Sequence, residues 1–256
     1  MDMPLKILAL ADGFGDSRAS PSWYPKFLKW PAILALMTKG TEVIDLCRYG
    51  AGNEYMVSCL RENHCKADVI FLQWAIPNRL DLLLAHESEN LYQWQCQIDA
   101  DVSYQHNFQH IGNDRWWISS ASTAPWASTY RDNMISQKQH QNRSKIWVEY
   151  AHNLLIKKTH GFLLTWDSHY LNDADVEPEV WIWHDRWKGM HDWRYHSQYR
   201  DLDLDVTQPI PLIHFDFIKR FILPRFDLPW RNERELDAVE SMLTRHYNQY
   251  KDHKPS

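Results

Sequence analysis

The sequence predicts an α/β fold with a parallel sheet covered by helices on both faces. Three observations carry this. Apolar runs at Leu5–Ala11, Glu42–Cys47 and Asp68–Trp74 have strand length. Segments with helical spacing of apolar residues lie between them. The third run is apolar almost throughout, as a strand buried on both faces must be. Strand–helix–strand–helix–strand at this spacing calls for right-handed parallel crossovers.

Each element has its own local reason. Leu5–Ala11 ends at the turn-forming stretch Asp12-Gly13-Phe14-Gly15-Asp16-Ser17, which continues through Ser20-Pro21-Ser22. A helix is expected from Tyr24 to Met37, with Pro31 kinking or restarting it and Lys39-Gly40 stopping it. The second strand, Glu42–Cys47, leads into the loop Arg48–Asn53. Asn53 is expected to cap a helix that buries Tyr55, Met56, Cys59 and Leu60. Residues 86–142 break the alternation and are rich in Gln, Asn, Ser, Tyr and Trp. They read as an insertion within a single domain of 1–256, forming a hairpin and lid over the sheet's functional edge. Its expected strands are Leu91–Cys96 and Arg115–Ser119, with a turn at Ile111–Asp114. A helix is then expected from Ile146 to about Thr159, ended by Gly161, with a fourth strand at Phe162–Trp166. Residues 173–208 show little periodicity. A terminal helix runs from Glu233 to about Tyr250, capped by Asn232.

Composition narrows the function classes. The chain has 256 residues, 44% of them apolar, enough for one large core. No stretch approaches the roughly 18 uninterrupted apolar residues of a membrane span, so no membrane partner is expected. Met1–Lys6 lacks the features of a signal peptide, and a cytoplasmic location is the expectation. Cys47, Cys59, Cys65 and Cys96 form no C-x-x-C pair and read as free thiols. The net charge of -5 argues against a nucleic-acid partner, whose phosphates call for a basic surface. The 14 tryptophans suit both core packing and the stacking of sugars or bases.

In an open parallel sheet, ligands bind outside the carboxyl ends of the strands. That points to the loops Asp12–Ser22, Arg48–Asn53, Ala75–Asp81 and Asp167–Asn172. The helix starting at Asn53 adds backbone donors where an anion or oxyanion could sit. Gly13 and Gly15 have no following lysine for a Walker loop, and Arg18 breaks a dinucleotide fingerprint. His184, Asp185, His191, Asp192 and His196 offer ligand types for a metal, but none has the i, i+4 pairing of H-E-x-x-H. No cofactor and no metal site is assigned.

The Gly15-Asp16-Ser17 block after the first strand, together with Arg48–Tyr55 and Val69–Arg79, resembles the SGNH (GDSL-type) hydrolases, and in layout the SGNH-like proteins of tailed bacteriophages. The resemblance covers the first third of the chain well. It implies a three-layer α/β/α, flavodoxin-like sheet and a serine esterase or acyltransferase, with a small-molecule or carbohydrate ester as substrate. In that reading Ser17 is the nucleophile, and Gly50, Gly52, Asn53 and Asn78 supply or position oxyanion donors. Arg48 and Arg79 contact substrate, and Asp12 and Asp227 are the catalytic carboxylates. Three departures stand beside it. Counting from the strand instead of the motif puts Gly13 in the nucleophile's place. Asn78 is shifted from the family's G-x-N-D block. Asp227-Leu228-Pro229-Trp230 stands where the family has D-x-x-H, and tryptophan accepts no proton. The base is then another histidine: His169, after the fourth strand, or His214. Two other functions fit the same loops. One is a catalytically inactive binding protein on this fold, and the other a nucleotide or sugar group-transfer enzyme with Asp12 as general base.

Overall fold

The computed structural model describes residues 3–12, 15, 28–48, 50–76, 81–84, 108–111, 114–118, 136–165, 171, 174–182, 189–202 and 209–251; for 82–84, 108–111 and 114–118 it describes the backbone. Four strands form an all-parallel sheet: β1 (Leu5–Leu10), β2 (Thr41–Asp45), β3 (Val69–Trp74) and, after a small second sheet, β7 (Thr159–Leu164). Their spatial order is β2-β1-β3-β7. In chain order this is 2-1-3-4, the arrangement of the flavodoxin-like doubly wound sheet. Pairing is in parallel register, with Leu5 opposite Thr41, Ile7 opposite Val69 and Val69 opposite Thr159.

The chain goes outward from β1 to β2, then back past β1 to β3 and β7. Right-handed crossovers in these opposite directions require helices on opposite faces. Accordingly α1 (Trp30–Met37) covers one face and α2 (Asn53–Asn63) the other. α3 (Gln137–Leu155) joins α2. The short α4 (Met190–Trp193), α5 (Pro211–Phe217) and α6 (Glu233–Tyr250) join α1. The result is a three-layer α/β/α fold with one apolar core on each face. Central β3 is buried at all six residues, whereas edge strand β2 is buried at none. On the far side of β7, Trp181 forms a single parallel bridge with Phe162, and Ile182 N–H donates to the Phe162 carbonyl at 2.8 Å.

The helix expected from Tyr24 begins, among the described residues, at Trp30, with Pro31 in its first turn, where its missing N–H has no partner to lose. α6 and its Asn232 cap also match, with Asn232 Oδ1 accepting from Glu235 N–H and Glu235 returning the bond to Asn232 N–H. Four expectations need correction. Asn53 is the first residue of α2 and Gly52 its cap. α3 begins at Gln137, so residues 137–142 belong to this helix and not to the insertion; Ser136 caps it by accepting from Gln139 N–H at 3.2 Å. Gly161 lies inside β7, where a Cβ would meet Ile182 Cδ1 and Phe226 Cζ, each at 2.7 Å. The terminal residue of that strand is Leu164, not Trp166.

Between β3 and α3 the chain builds a three-stranded antiparallel sheet. Its strands are β4 (Asp81–Leu84), β5 (Phe108–Ile111) and β6 (Asp114–Ile118), in the order β4-β6-β5. β6 overlaps the expected strand Arg115–Ser119, but its hairpin partner is β5, a strand not expected from the sequence, and Ile111 and Asp114 of the expected turn are themselves paired strand residues. β4 precedes the expected start of the insertion and pairs with β6, Asp81 opposite Ile118. Leu91–Cys96 lies outside the described residues.

Candidate functional site

The strand order reverses between β1 and β3, and the crevice outside their carboxyl ends is where such sheets bind ligands. Backbone bonds draw the loops together there. β1 runs into Ala11 and Asp12, both wholly buried. Asp12 carbonyl accepts from Gly15 N–H at 2.9 Å, turning the chain back at once. Gly15 lies so close to the strand ends that a Cβ would stand 2.5 Å from Ala11 Cβ and 2.6 Å from Cys47 Sγ. Arg48 N–H donates to the Ala11 carbonyl at 2.8 Å, tying the second loop to the first. Arg48 carbonyl accepts from Ala51 N–H at 3.1 Å. Gly50 is the third residue of that turn, at φ 79°, a conformation that favours glycine.

The amino end of α2 faces this crevice, but two of the donors there, Gly52 N–H and Tyr55 N–H, are engaged. Asp81, at the start of β4, accepts from Gly52 N–H at 2.7 Å and Tyr55 N–H at 3.2 Å on one carboxylate oxygen. A carboxylate there answers both the orphan N–H groups and the helix dipole. Asn53 is equally committed. Its Oδ1 accepts from Ala75 N–H at 2.9 Å, and its Nδ2 donates to Ser144 Oγ at 3.0 Å and the Ala75 carbonyl at 3.4 Å. Glu54 and Arg143 pair beside it. The backbone donors of Gly52 and Tyr55 that the sequence offered to an oxyanion therefore hold the small sheet in place. Burial pushes the Tyr55 phenol up from its ordinary pKa, and the neighbouring Cys59 thiol up to about 12.

On the α1 face, the same carboxyl edge carries a buried polar cluster in which sequence reasoning named His214 as an alternative base but missed Lys29, Trp30, Gln73 and Thr165. Lys29, just before α1, is wholly buried. Trp30 Nε1–H donates to Gln73 Oε1 at 2.6 Å, and Gln73 Nε2 donates to Thr165 Oγ1 at 3.2 Å. Thr165 carbonyl accepts from His191 N–H at 2.9 Å, bringing α4 onto the edge. His214 on α5 is 0% exposed, with Nδ1 3.1 Å from Met190 Sδ. A thioether has no proton to give, so Nδ1 carries the hydrogen of that contact. Burial first, and the nearby Lys29 charge second, hold the His214 pKa well below its usual value. The ring is therefore neutral near pH 7, and Nε2 holds a lone pair with no hydrogen-bond partner among the described residues. His191 is also neutral: burial and then Arg194 lower its pKa to about 4, and its Nε2 accepts from Arg194 Nη1 at 3.0 Å. One sequence signal was available, the polar Gln73 within an otherwise apolar strand.

The remaining assignments separate. Ser17, His169, Asn78, Arg79 and Gly13 lie outside the described residues, as do His184 and Asp185. Asp12, Arg48, Gly50, Gly52 and Asn53 come together at the carboxyl edge. Asp227 does not. It is exposed, and the segment that follows it meets the opposite edge: Trp230 bridges Thr38, Lys39 N–H donates to the Pro229 carbonyl at 2.7 Å, and Arg231 N–H to Met37 at 2.9 Å. Those partners lie between α1 and the start of β2. The six residues of β1 set the two edges roughly 20 Å apart. His191 and Asp192 do not converge on a metal; Asp192 accepts from Gly189 N–H at 2.8 Å, closing the first turn of α4. No helix among the described residues is long and apolar enough to cross a membrane. Comparison with family models, with curated proteins and with solved structures returned no match.

Proposed function

We propose that the chain is a divergent SGNH-like hydrolase or acyltransferase, acting on an ester of a sugar or other small molecule at the carboxyl edge of its parallel sheet. The observation that carries this is His214: a neutral, wholly buried imidazole whose Nδ1 is held by Met190 and whose Nε2 keeps its lone pair. That is the state a general base needs, and the cluster around Lys29 puts it on the same edge as Asp12. In this reading Ser17 Oγ attacks the ester carbonyl as Nε2 takes its proton. The imidazolium returns that proton to the departing alkoxide, and water or an acceptor alcohol then releases the acyl group. Lys29 supplies positive charge for the developing oxyanion, in place of the engaged Gly52 N–H. Asp227 has no part in it.

A second reading, a binding protein without turnover, is favoured by the engagement of Gly52, Tyr55 and Asn53, which leaves fewer backbone donors for an oxyanion. Fluorophosphonate labelling with peptide mapping separates the two. The expected result is an adduct on Ser17, and hydrolysis of a simple aryl ester that disappears in Ser17→Ala. No adduct together with untouched esters overturns the enzymatic reading.

A further inference from the structure

The amino end of the sheet, on the α2 face, carries a second polar assembly with no part in the site above. His152 projects from α3 and is buried; His160 is the second residue of β7. Both rings pack against Phe162, at centroid distances of 6.4 and 5.4 Å. His152 Nδ1 and His160 Nε2 face each other at 3.3 Å. Each ring has an acceptor on its other nitrogen: His160 Nδ1 lies 2.8 Å from the Lys158 carbonyl, and His152 Nε2 lies 2.5 Å from Glu177 Oε2. Carbonyl and carboxylate oxygens only accept, so both outer nitrogens carry hydrogen.

We propose that His152 Nδ1 and His160 Nε2 form a binding site for a transition-metal ion of the zinc class. Two nitrogens 2.0–2.1 Å from a tetrahedral ion stand roughly 3.3–3.4 Å apart, which is the spacing seen. Metal-binding histidines characteristically donate their other N–H to a carboxylate or a backbone carbonyl, and here one does each. Imidazole suits zinc, copper and nickel, whereas magnesium and calcium require oxygen. Among the described residues no third histidine, cysteine or carboxylate completes a cluster, so water fills the open positions. His160, though not His152, also lines an open cavity of 610 Å³, together with Glu179, Lys158 and Arg225 among others. The two cations there oppose an incoming ion, and Glu177 and Glu179 offset them.

Calorimetric titration of the full chain with zinc chloride near pH 7 tests this. The expected result is one ion bound, with no heat from magnesium chloride. His160→Gln should weaken binding at least tenfold. Glu177→Gln, an exposed position that leaves folding intact, should weaken it by about 10–100-fold. The rival is the exposed pair His64–Cys65, with Nε2 and Sγ 3.3 Å apart. Cys65→Ser should leave the titration unchanged. Loss of binding in Cys65→Ser, or wild-type binding in both Glu177→Gln and His160→Gln, overturns the proposal.

Discussion

Replacing Asp81 with alanine removes the acceptor that closes the first turn of α2. One carboxylate oxygen receives Gly52 N–H at 2.7 Å and Tyr55 N–H at 3.2 Å, and the residue is 2% exposed. Hydrogen bonds to a charged group contribute roughly 1.5–3 kcal/mol each, and a buried donor left unpaired carries its own desolvation cost. The helix dipole adds about 0.3–1 kcal/mol. The two bonds share one oxygen and the second is longer, so these contributions do not add in full. Asp81→Ala should destabilise the fold by about 2–4 kcal/mol, and Asp81→Asn, which keeps an acceptor oxygen but loses the charge, by roughly half as much. Urea unfolding at pH 7 measures the loss, and hydrogen exchange locates it at the Gly52 and Tyr55 amides. A change under about 0.5 kcal/mol, with those amides still protected, would refute the reasoning. Asp81 would then be a bystander, with other acceptors holding those two amides.

Acid stability should report on the buried histidines. The His191 pKa falls from an ordinary 6.5 to about 4 in the fold, so between these values the unfolded chain binds more protons than the folded one. Stability is therefore full above pH 6.5 and declines as pH falls towards 4, by at most roughly 3 kcal/mol from this group. His214 acts in the same direction. Glu235, whose pKa is lowered by Lys39 and the Asn232 backbone, adds its loss only below its ordinary 4.5. Unfolding free energies measured at pH 7, 6 and 5 isolate the histidine window. His191→Gln should flatten the slope there, and a wild-type profile already flat across it contradicts the assignment. Gly161→Ala should cost about 1–3 kcal/mol, because the added methyl overlaps Ile182 and Phe226. Thermal denaturation no lower than wild type would show that both side chains yield without strain.

The sequence by itself determined the parallel sheet and the terminal helix, because their signals are local. β1, β2 and β3 announce themselves as apolar runs bounded by turn residues, and α6 by its Asn232 cap and one apolar stripe. α5 escaped notice because all seven of its residues are buried, and a helix enclosed on every side has no amphipathic period to detect. The site depends on contacts between distant parts of the chain. Asp81 caps a helix 29 residues away from it at Gly52, and Gln73 reaches Thr165 across 92 residues. Lys29 and His214 are ordinary surface residue types until α1 and α5 close over the sheet's carboxyl edge and remove their water. Asp227 shows the converse. Its spacing from α6 resembles that of a catalytic acid, yet the packing of residues 229–231 on the end of α1 carries it to the other edge. Residue order told which loops follow strands, but only tertiary packing decided which side chains share an edge, which donors are engaged and which imidazoles lose their charge.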